Sequence, residues 1–217
     1  MTFNRLLTDK DRVNFKPLID EMFKVCPEMM GRKIARANVQ QAFVLDCVKT
    51  LLDKKYGKPT LMASIGCFED TAYEYLLRTG TPLVGIDPAI NFDMHSFTTQ
   101  IVSTESPRFD IIFSTSVLEH VNDDEEFIED VCTLLNPGGY AILTVDYNND
   151  YKPGDMLPFS DLRFYTKHDL NVRLRRVIED MNCWFVTSPD WSGKSDFEHD
   201  GCKYSFATLV FKRKSYV

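Results

Sequence analysis

The chain has little of what several protein classes require. No stretch approaches the ~18 consecutive apolar residues of a membrane-spanning helix. The opening MTFNRLLTDKDR lacks the apolar core of a secretory leader, so a cytoplasmic protein is expected. The six cysteines (26, 47, 67, 132, 183 and 202) never form Cys-x-x-Cys, and no histidine stands at zinc-finger spacing. Cys47, Cys67, Cys132 and Cys183 lie in or beside apolar segments, as free buried thiols do in a reducing compartment. Positive charge is short: 25 Lys and Arg against 32 Asp and Glu give a net charge of −7. Only VRLRR (172–176) and KRK (212–214) are basic runs. Such a surface does not displace counterions from nucleic acid, so neither a nucleic-acid nor a membrane partner is expected.

Glycine is scarce where it would decide most. The loop SIGCFEDT (64–71) follows an apolar pentapeptide and precedes a helical pattern, yet it holds only Gly66. A dinucleotide fingerprint needs G-x-G-x-x-G, so that backbone approaches a pyrophosphate. Here Phe68 and Thr71 occupy the second and third glycine positions, which disfavours NAD and FAD.

What is present is a globular composition, 44% hydrophobic and 12% aromatic. The length suits one domain, read as an N-terminal helical cap (1–58) on an α/β core (59–217). Residues 14–56 read as helices divided near Pro27 and Gly31 and ended by Gly57 and Pro59. Val44, Leu45, Val48, Leu51 and Leu52 form one helical face. Short apolar runs then alternate with helical patterns: strands at 61–65, 82–86, 109–114 and 140–145, and a closing pair at 184–187 and 204–211. Between them, Thr71-x-x-Glu74 reads as a capping box, acids at 123–126 open a helix that NPGG (136–139) breaks, and Thr166-x-x-Asp169 starts another. The pattern predicts a doubly wound, seven-stranded, mostly parallel sheet with an antiparallel last strand and N-terminal helices.

Ligands of such folds bind beyond the carboxyl ends of the strands. A nucleoside without a pyrophosphate needs one close backbone approach, at Gly66, and an acceptor for ribose hydroxyls. Asp87, ending LVGID about 20 residues after the loop, is placed for that role. S-adenosylmethionine (SAM) fits.

The segments LMASIGCFEDTAYEYL, LVGIDPA and FDIIFSTSVLEHVNDDEEFIEDVCTLLNPGGYAILT together resemble the successive motifs of class I SAM-dependent methyltransferases. The match is to the subgroup with Leu-Glu-His after the fourth strand and Leu-x-Pro-Gly-Gly before the fifth. The resemblance spans roughly residues 60–146. It implies a cofactor-contacting set of Gly66, Cys67, Phe68, Glu69, Asp87, Pro88, Ser114, Thr115 and Ser116, with Asp93 as the adenine-binding acid. The loop departs from the family at Ser64, where an acid usually stands. Glu69 or Asp70 can replace it, or Arg32 or Arg36 can grip the methionine carboxylate. The short stretch from Asp87 to Phe109 predicts an abbreviated third strand and helix near 91–97.

Three segments are expected to converge on the acceptor: 114–120, 146–165 and 188–202. They offer His120, Asp146 and His199 as catalytic candidates, His120 as the general base. Asp146, Asn148, Asn149 and Asp150 can ligate Mg²⁺; no other metal is expected. Arg163 can clamp a phosphate or pair with Asp161 or Asp169, and Trp191 can stack on a sugar or fill the core. DYxxDYKPGD and DLRFYT resemble small methyltransferases of cell-surface polysaccharide synthesis. That implies a sugar or nucleotide-sugar hydroxyl as acceptor, with other small-molecule oxygens or nitrogens, or a non-catalytic SAM-fold module, as alternatives.

Overall fold

The computed structural model describes residues 2–54, 60–158 and 160–215. The expected helix stop at Gly57 and Pro59 lies outside them.

The chain opens with a two-residue strand β1 (Leu6–Leu7) and the helices α1 (Asp9–Asn14), α2 (Lys16–Val25) and α3 (Pro27–Arg32). A 3₁₀ turn (Ala35–Ala37) leads to α4 (Asn38–Lys54). The core follows as β2 (Met62–Ile65), α5 (Thr71–Arg78), β3 (Val84–Ile86), α6 (Met94–Ser103), β4 (Phe109–Thr115), α7 (Asp124–Leu134) and β5 (Leu135–Tyr147). It closes with α8 (Leu174–Asp180), β6 (Cys183–Phe185), β7 (Phe197–His199) and β8 (Cys202–Arg213).

The sheet runs β1-β8-β5-β4-β2-β3, with β6 and β7 also pairing β8. The strands β3, β2, β4 and β5 are mutually parallel. β8 runs antiparallel to β5 over eight residue pairs, from Tyr140↔Lys212 to Tyr147↔Ser205. The fold is therefore the expected α/β one. Among the described residues the sheet has eight strands rather than seven, because β1 and β7 are two and three residues long and leave no apolar period to read. Both, like β6, are antiparallel to β8. Between β3 and β4 no strand is found among the described residues. The ten-residue α6 fills that stretch, so the expected third strand is missing while its helix is complete.

Strand alternation divides the core in two. Met62, Ile111, Phe113, Ile142 and Val210 face a layer that includes Phe43, Leu45 and Val48 of α4 and Leu76 of α5. Ala63, Ile112, Leu143, Val145 and Leu209 face α6, α7 and α8 through Phe97, Ile128, Val131 and Leu174. Burial on both faces explains why β4 and β5 read as unbroken apolar runs.

Local starts and stops differ from expectation in detail. Asp70, not Thr71, caps α5, accepting the Tyr73 N–H at 2.6 Å. Asp123 caps α7. NPGG does end α7, but it bulges out of the start of β5: Leu135 pairs with Phe109, and Tyr140 with Ile111. α8 is preceded by a wide π turn, Asp169–Arg173. The six cysteines are buried and none is in a disulfide. No helix among the described residues is long and apolar enough to cross a membrane.

Candidate active site

A cavity of about 1060 Å³ opens at the carboxyl ends of the parallel strands. Its first wall is the loop after β2. Gly66 has φ +75°, a left-handed conformation that favours glycine, and donates its N–H to Ile86 O at 2.8 Å. A Cβ at this position would drive into the Val117 side chain. Glycine is thus demanded by backbone and packing, not only by a ligand's approach. The loop is fastened to the end of β3 by Asp87. Its Oδ2 accepts the Phe68 N–H (3.0 Å) and its Oδ1 the Ala89 N–H (2.8 Å). Each oxygen keeps a second lone pair for a ribose hydroxyl.

Of the expected cofactor set, Gly66, Phe68, Glu69, Asp87, Pro88, Asp93, Thr115 and Ser116 line the cavity. Cys67 and Ser114 do not; both are buried, and the Cys67 thiol packs against Gly85. Asp93 is engaged as the cap of α6, accepting from Ser96 N (2.9 Å) and Ser96 Oγ (2.7 Å), which hold its carboxyl below the usual range. Ser116, at φ +50°, donates to Gln40 Oε1 at 2.7 Å.

Between the open choices for the missing acid, geometry favours Asp70. It is buried and lines the cavity, and its Oδ2 has no hydrogen-bond partner; burial pushes its pKa up. Glu69 is turned to Arg32 (3.2 Å). Arg36 is committed to Asp9 and to the Asp196 carbonyl, whereas Arg32 and Lys33 line the cavity. Asn38, the first residue of α4, also lines it, buried with both amide atoms unpartnered. Buried polar groups without partners are rare in native folds. Asn38, Gln40 and Gln41 carried no sequence signal, because the apolar face of α4 dominates its pattern.

The second wall comes from β4, β5, β7 and β8. His120 ends a 3₁₀ turn after β4 (Leu118–His120), and its Nδ1 lies 3.0 Å from Ser160 O and 3.4 Å from Asp161 Oδ1. Asp161 reaches this place because Leu162 N–H donates to Glu119 O (2.9 Å) and Tyr165 OH to Leu118 O (3.0 Å), strapping the long loop onto the turn. Asp146 ends β5 beside Phe206 of β8, and β7 brings His199, 3.5 Å from Asp200. All three catalytic candidates, His120, Asp146 and His199, therefore line one cavity.

Here buried carboxyls crowd together. Glu119 is fully buried and neither carboxyl oxygen has a partner; Asp146 Oδ1 and Asp161 Oδ2 are likewise unpartnered. Burial raises the pKa of all three, Glu119 to about 7, and for Asp146 the nearby Glu119 charge adds to it. Two carboxyls that face each other pair only when one holds a proton.

Other expectations resolve differently. Asn148 and Asn149 are tied up in turns, accepting from Asp150 N and Lys167 N, and do not converge with Asp146 on a shared ion. Among the described residues no group of three or more His, Cys, Asp or Glu is arranged to hold a metal. Arg163 pairs with Asp124 at 2.9 Å, not with Asp161 or Asp169. Trp191 fills the core, donating Nε1–H to Thr208 O.

A doubly wound sheet with its cavity beyond the parallel strands, a left-handed glycine after one strand and an acid after the next is a layout that can hold the nucleoside of SAM. Gly66, Asp87 and the unpartnered atoms of Asp70 and Asn38 fit that cofactor. The chain belongs to the methyltransferase domain family, whose model matches residues 38–186. It is 29% identical over 120 residues to the human mitochondrial ubiquinone biosynthesis O-methyltransferase, a match covering 45% of this chain and 32% of that protein. Of the related fold neighbours, a SAM-dependent methyltransferase from Clostridium acetobutylicum gives a TM-score of 0.54 at 12% identity, covering 92% of this chain and 99% of that one. Magnesium protoporphyrin IX methyltransferase from Synechocystis, solved with bound S-adenosylhomocysteine (SAH), gives 0.52 at 13%, covering 95% and 100%.

Proposed function

We propose that this chain methylates a hydroxyl of a small polyhydroxy acceptor, a sugar in free or polysaccharide-linked form. SAM supplies a methyl group already activated on sulfonium. The work left to the protein is alignment and removal of the acceptor's proton. Asp87 holds the ribose, Asp70 the methionine ammonium, and Arg32 or Lys33 its carboxylate. The second wall takes the acceptor: carboxyl oxygens accept hydroxyl protons, and Phe197, Tyr204 and Phe206 give the ring faces apolar cover.

One observation carries the reading, the fixed orientation of His120. With Nδ1–H donated to Ser160 O and Asp161 beside it, Nε2 is left as the basic nitrogen. A base oriented by a third group is the arrangement that activates a weak nucleophile. His120 takes the hydroxyl proton as the oxygen–methyl bond forms and the sulfur–methyl bond breaks. The acidic second wall, with Arg32 and Lys33 confined to the first, supports a free sugar over a nucleotide sugar. A second reading, a phenolic hydroxyl, is favoured by the ring cluster and by the human relative's name.

Calorimetry with SAH and a labelled-methyl assay on sugar and phenol panels test both. His120→Ala is expected to keep SAH affinity and slow transfer at least ~10²-fold. Turnover near that of the unaltered protein would remove His120 from catalysis and move the role to Asp146 or His199.

A further inference from the structure

We propose that the acceptor carries a protonated amine, seated against Asp146 and Asp161 with Glu119 behind them. The inference rests on the methyltransferase reading and narrows its substrate class to amine-bearing polyhydroxy compounds.

The argument begins with charge. On the wall built from β5, β7, β8 and the strapped loop, the cavity is lined by Asp146, Asp161 and Asp200, with Glu119 behind them. Among the described residues no Lys or Arg lines that wall, where the basic groups are His120 and His199; Arg32 and Lys33 belong to the N-terminal segment, where Arg32 pairs with Glu69 over the β2 loop. Arg163 is held away by Asp124, and Lys203 is turned to Glu198. From Asp87 at β3 to Asp146 at β5 is three strand spacings, about 14 Å, so the acidic wall is separate from the ribose end.

Hydrogen bonding adds an independent observation. Asp146 Oδ1, Asp161 Oδ2 and both Glu119 oxygens are buried acceptors without donors. A neutral hydroxyl brings one donor, whereas an ammonium brings three donors and the opposing charge. Charge-assisted bonds are roughly twice as strong as neutral ones. A phosphate would bring only acceptors and negative charge, and would meet repulsion.

The third observation is aromatic. Phe197, Tyr204 and Phe206 line the same wall, with ring centroids 4.9 to 5.7 Å apart. Carboxylates beside ring faces are a setting in which a cation is held by charge and by the ring quadrupole together.

The test uses SAH-loaded protein titrated at pH 7.5 with glucosamine, glucose and glucose 1-phosphate as probes. Glucosamine is expected to bind at least tenfold more tightly than glucose, and glucose 1-phosphate not to saturate. In Asp161→Asn the preference for glucosamine is expected to shrink to about threefold or less, with SAH affinity unchanged. Equal affinity for the two sugars, binding of neither, or tighter binding of the phosphate would overturn the proposal, as would an undiminished preference in Asp161→Asn. Loss of SAH binding by the unaltered protein would instead overturn the methyltransferase reading beneath it.

Discussion

Two sets of buried acid lie five residues apart and behave oppositely. Asp124, at the start of α7, is met by Arg173 (2.7 Å), Arg163 (2.9 Å) and the Tyr165 hydroxyl (2.8 Å). Burial works against its carboxylate, but the Arg173, Tyr165 and Arg163 partners outweigh it and hold the pKa at about 2. Glu119, on the turn just before, has burial and no cation bonded to it, and rises to about 7. The Asp124 cluster joins α7, the loop residues Arg163 and Tyr165, and the π turn before α8; it is part of what holds the chain together. The Glu119, Asp146 and Asp161 cluster has no such guanidinium clamp, only the His120 ring 3.4 Å from Asp161, and its cost is kept beside the cavity where a ligand enters. A satisfied buried acid marks architecture, and an unsatisfied one beside a cavity marks use.

The largest expected break in that comparison is Asp124→Ala. It strands two guanidiniums and should cost about 3 kcal/mol, the low end for a broken buried pair because both arginines reach water. Urea denaturation measures it, with Glu119→Gln as the opposite case: that variant should unfold at the same urea concentration or higher. If the two variants lose equal stability, the distinction between the clusters fails.

A smaller effect is expected at the cofactor. Asp87→Ala should weaken SAH binding by roughly 1.5–3 kcal/mol, the range for a hydrogen bond to a charged group. Unchanged affinity by calorimetry would take the ribose away from Asp87.

The smallest effect sharpens the contrast through pH. Asp124 has a folded pKa below its ordinary 3.8, so its stabilisation is present above about 4 and lost as pH falls toward 2. Glu119 has a folded pKa above its ordinary 4.5, so its contribution is complete below about 4.5 and lost as pH rises through 7. The melting temperature should fall by about 2–4 °C from pH 6 to 8, equivalent to ~1 kcal/mol for a chain of this size. Glu119→Gln should flatten that slope, and a slope identical in the variant would assign the titration to another group.

The sequence made the parallel core legible because β2, β4 and β5 are buried on both faces and the helices between them carry one-sided apolar patterns. It also located Gly66, Asp87 and His120, whose positions follow from strand ends. It did not reveal β1 or β7, which are too short for any period. Asn38 was hidden on a helix read for its apolar face, and Asp161 in a loop whose path depends on backbone bonds to residues 118 and 119. Cys67 and Ser114 show the limit of reading by adjacency: neighbours of lining residues, they point into the core instead.

The pairing of β8 has a consequence for synthesis. β8 inserts between β5 and β1, and the Asn4 side chain bonds Val210 through both its amide and its carbonyl, across 206 residues. Until β8 (Cys202–Arg213) has been made and is free to pair, β5 is a bare strand edge and β1 has nothing to join. Such long-range closure is slow and leaves unpaired backbone open to other chains meanwhile. The sheet therefore closes only once β8 is available, and the interval before that is when its open strand edges are most exposed to pairing with other chains.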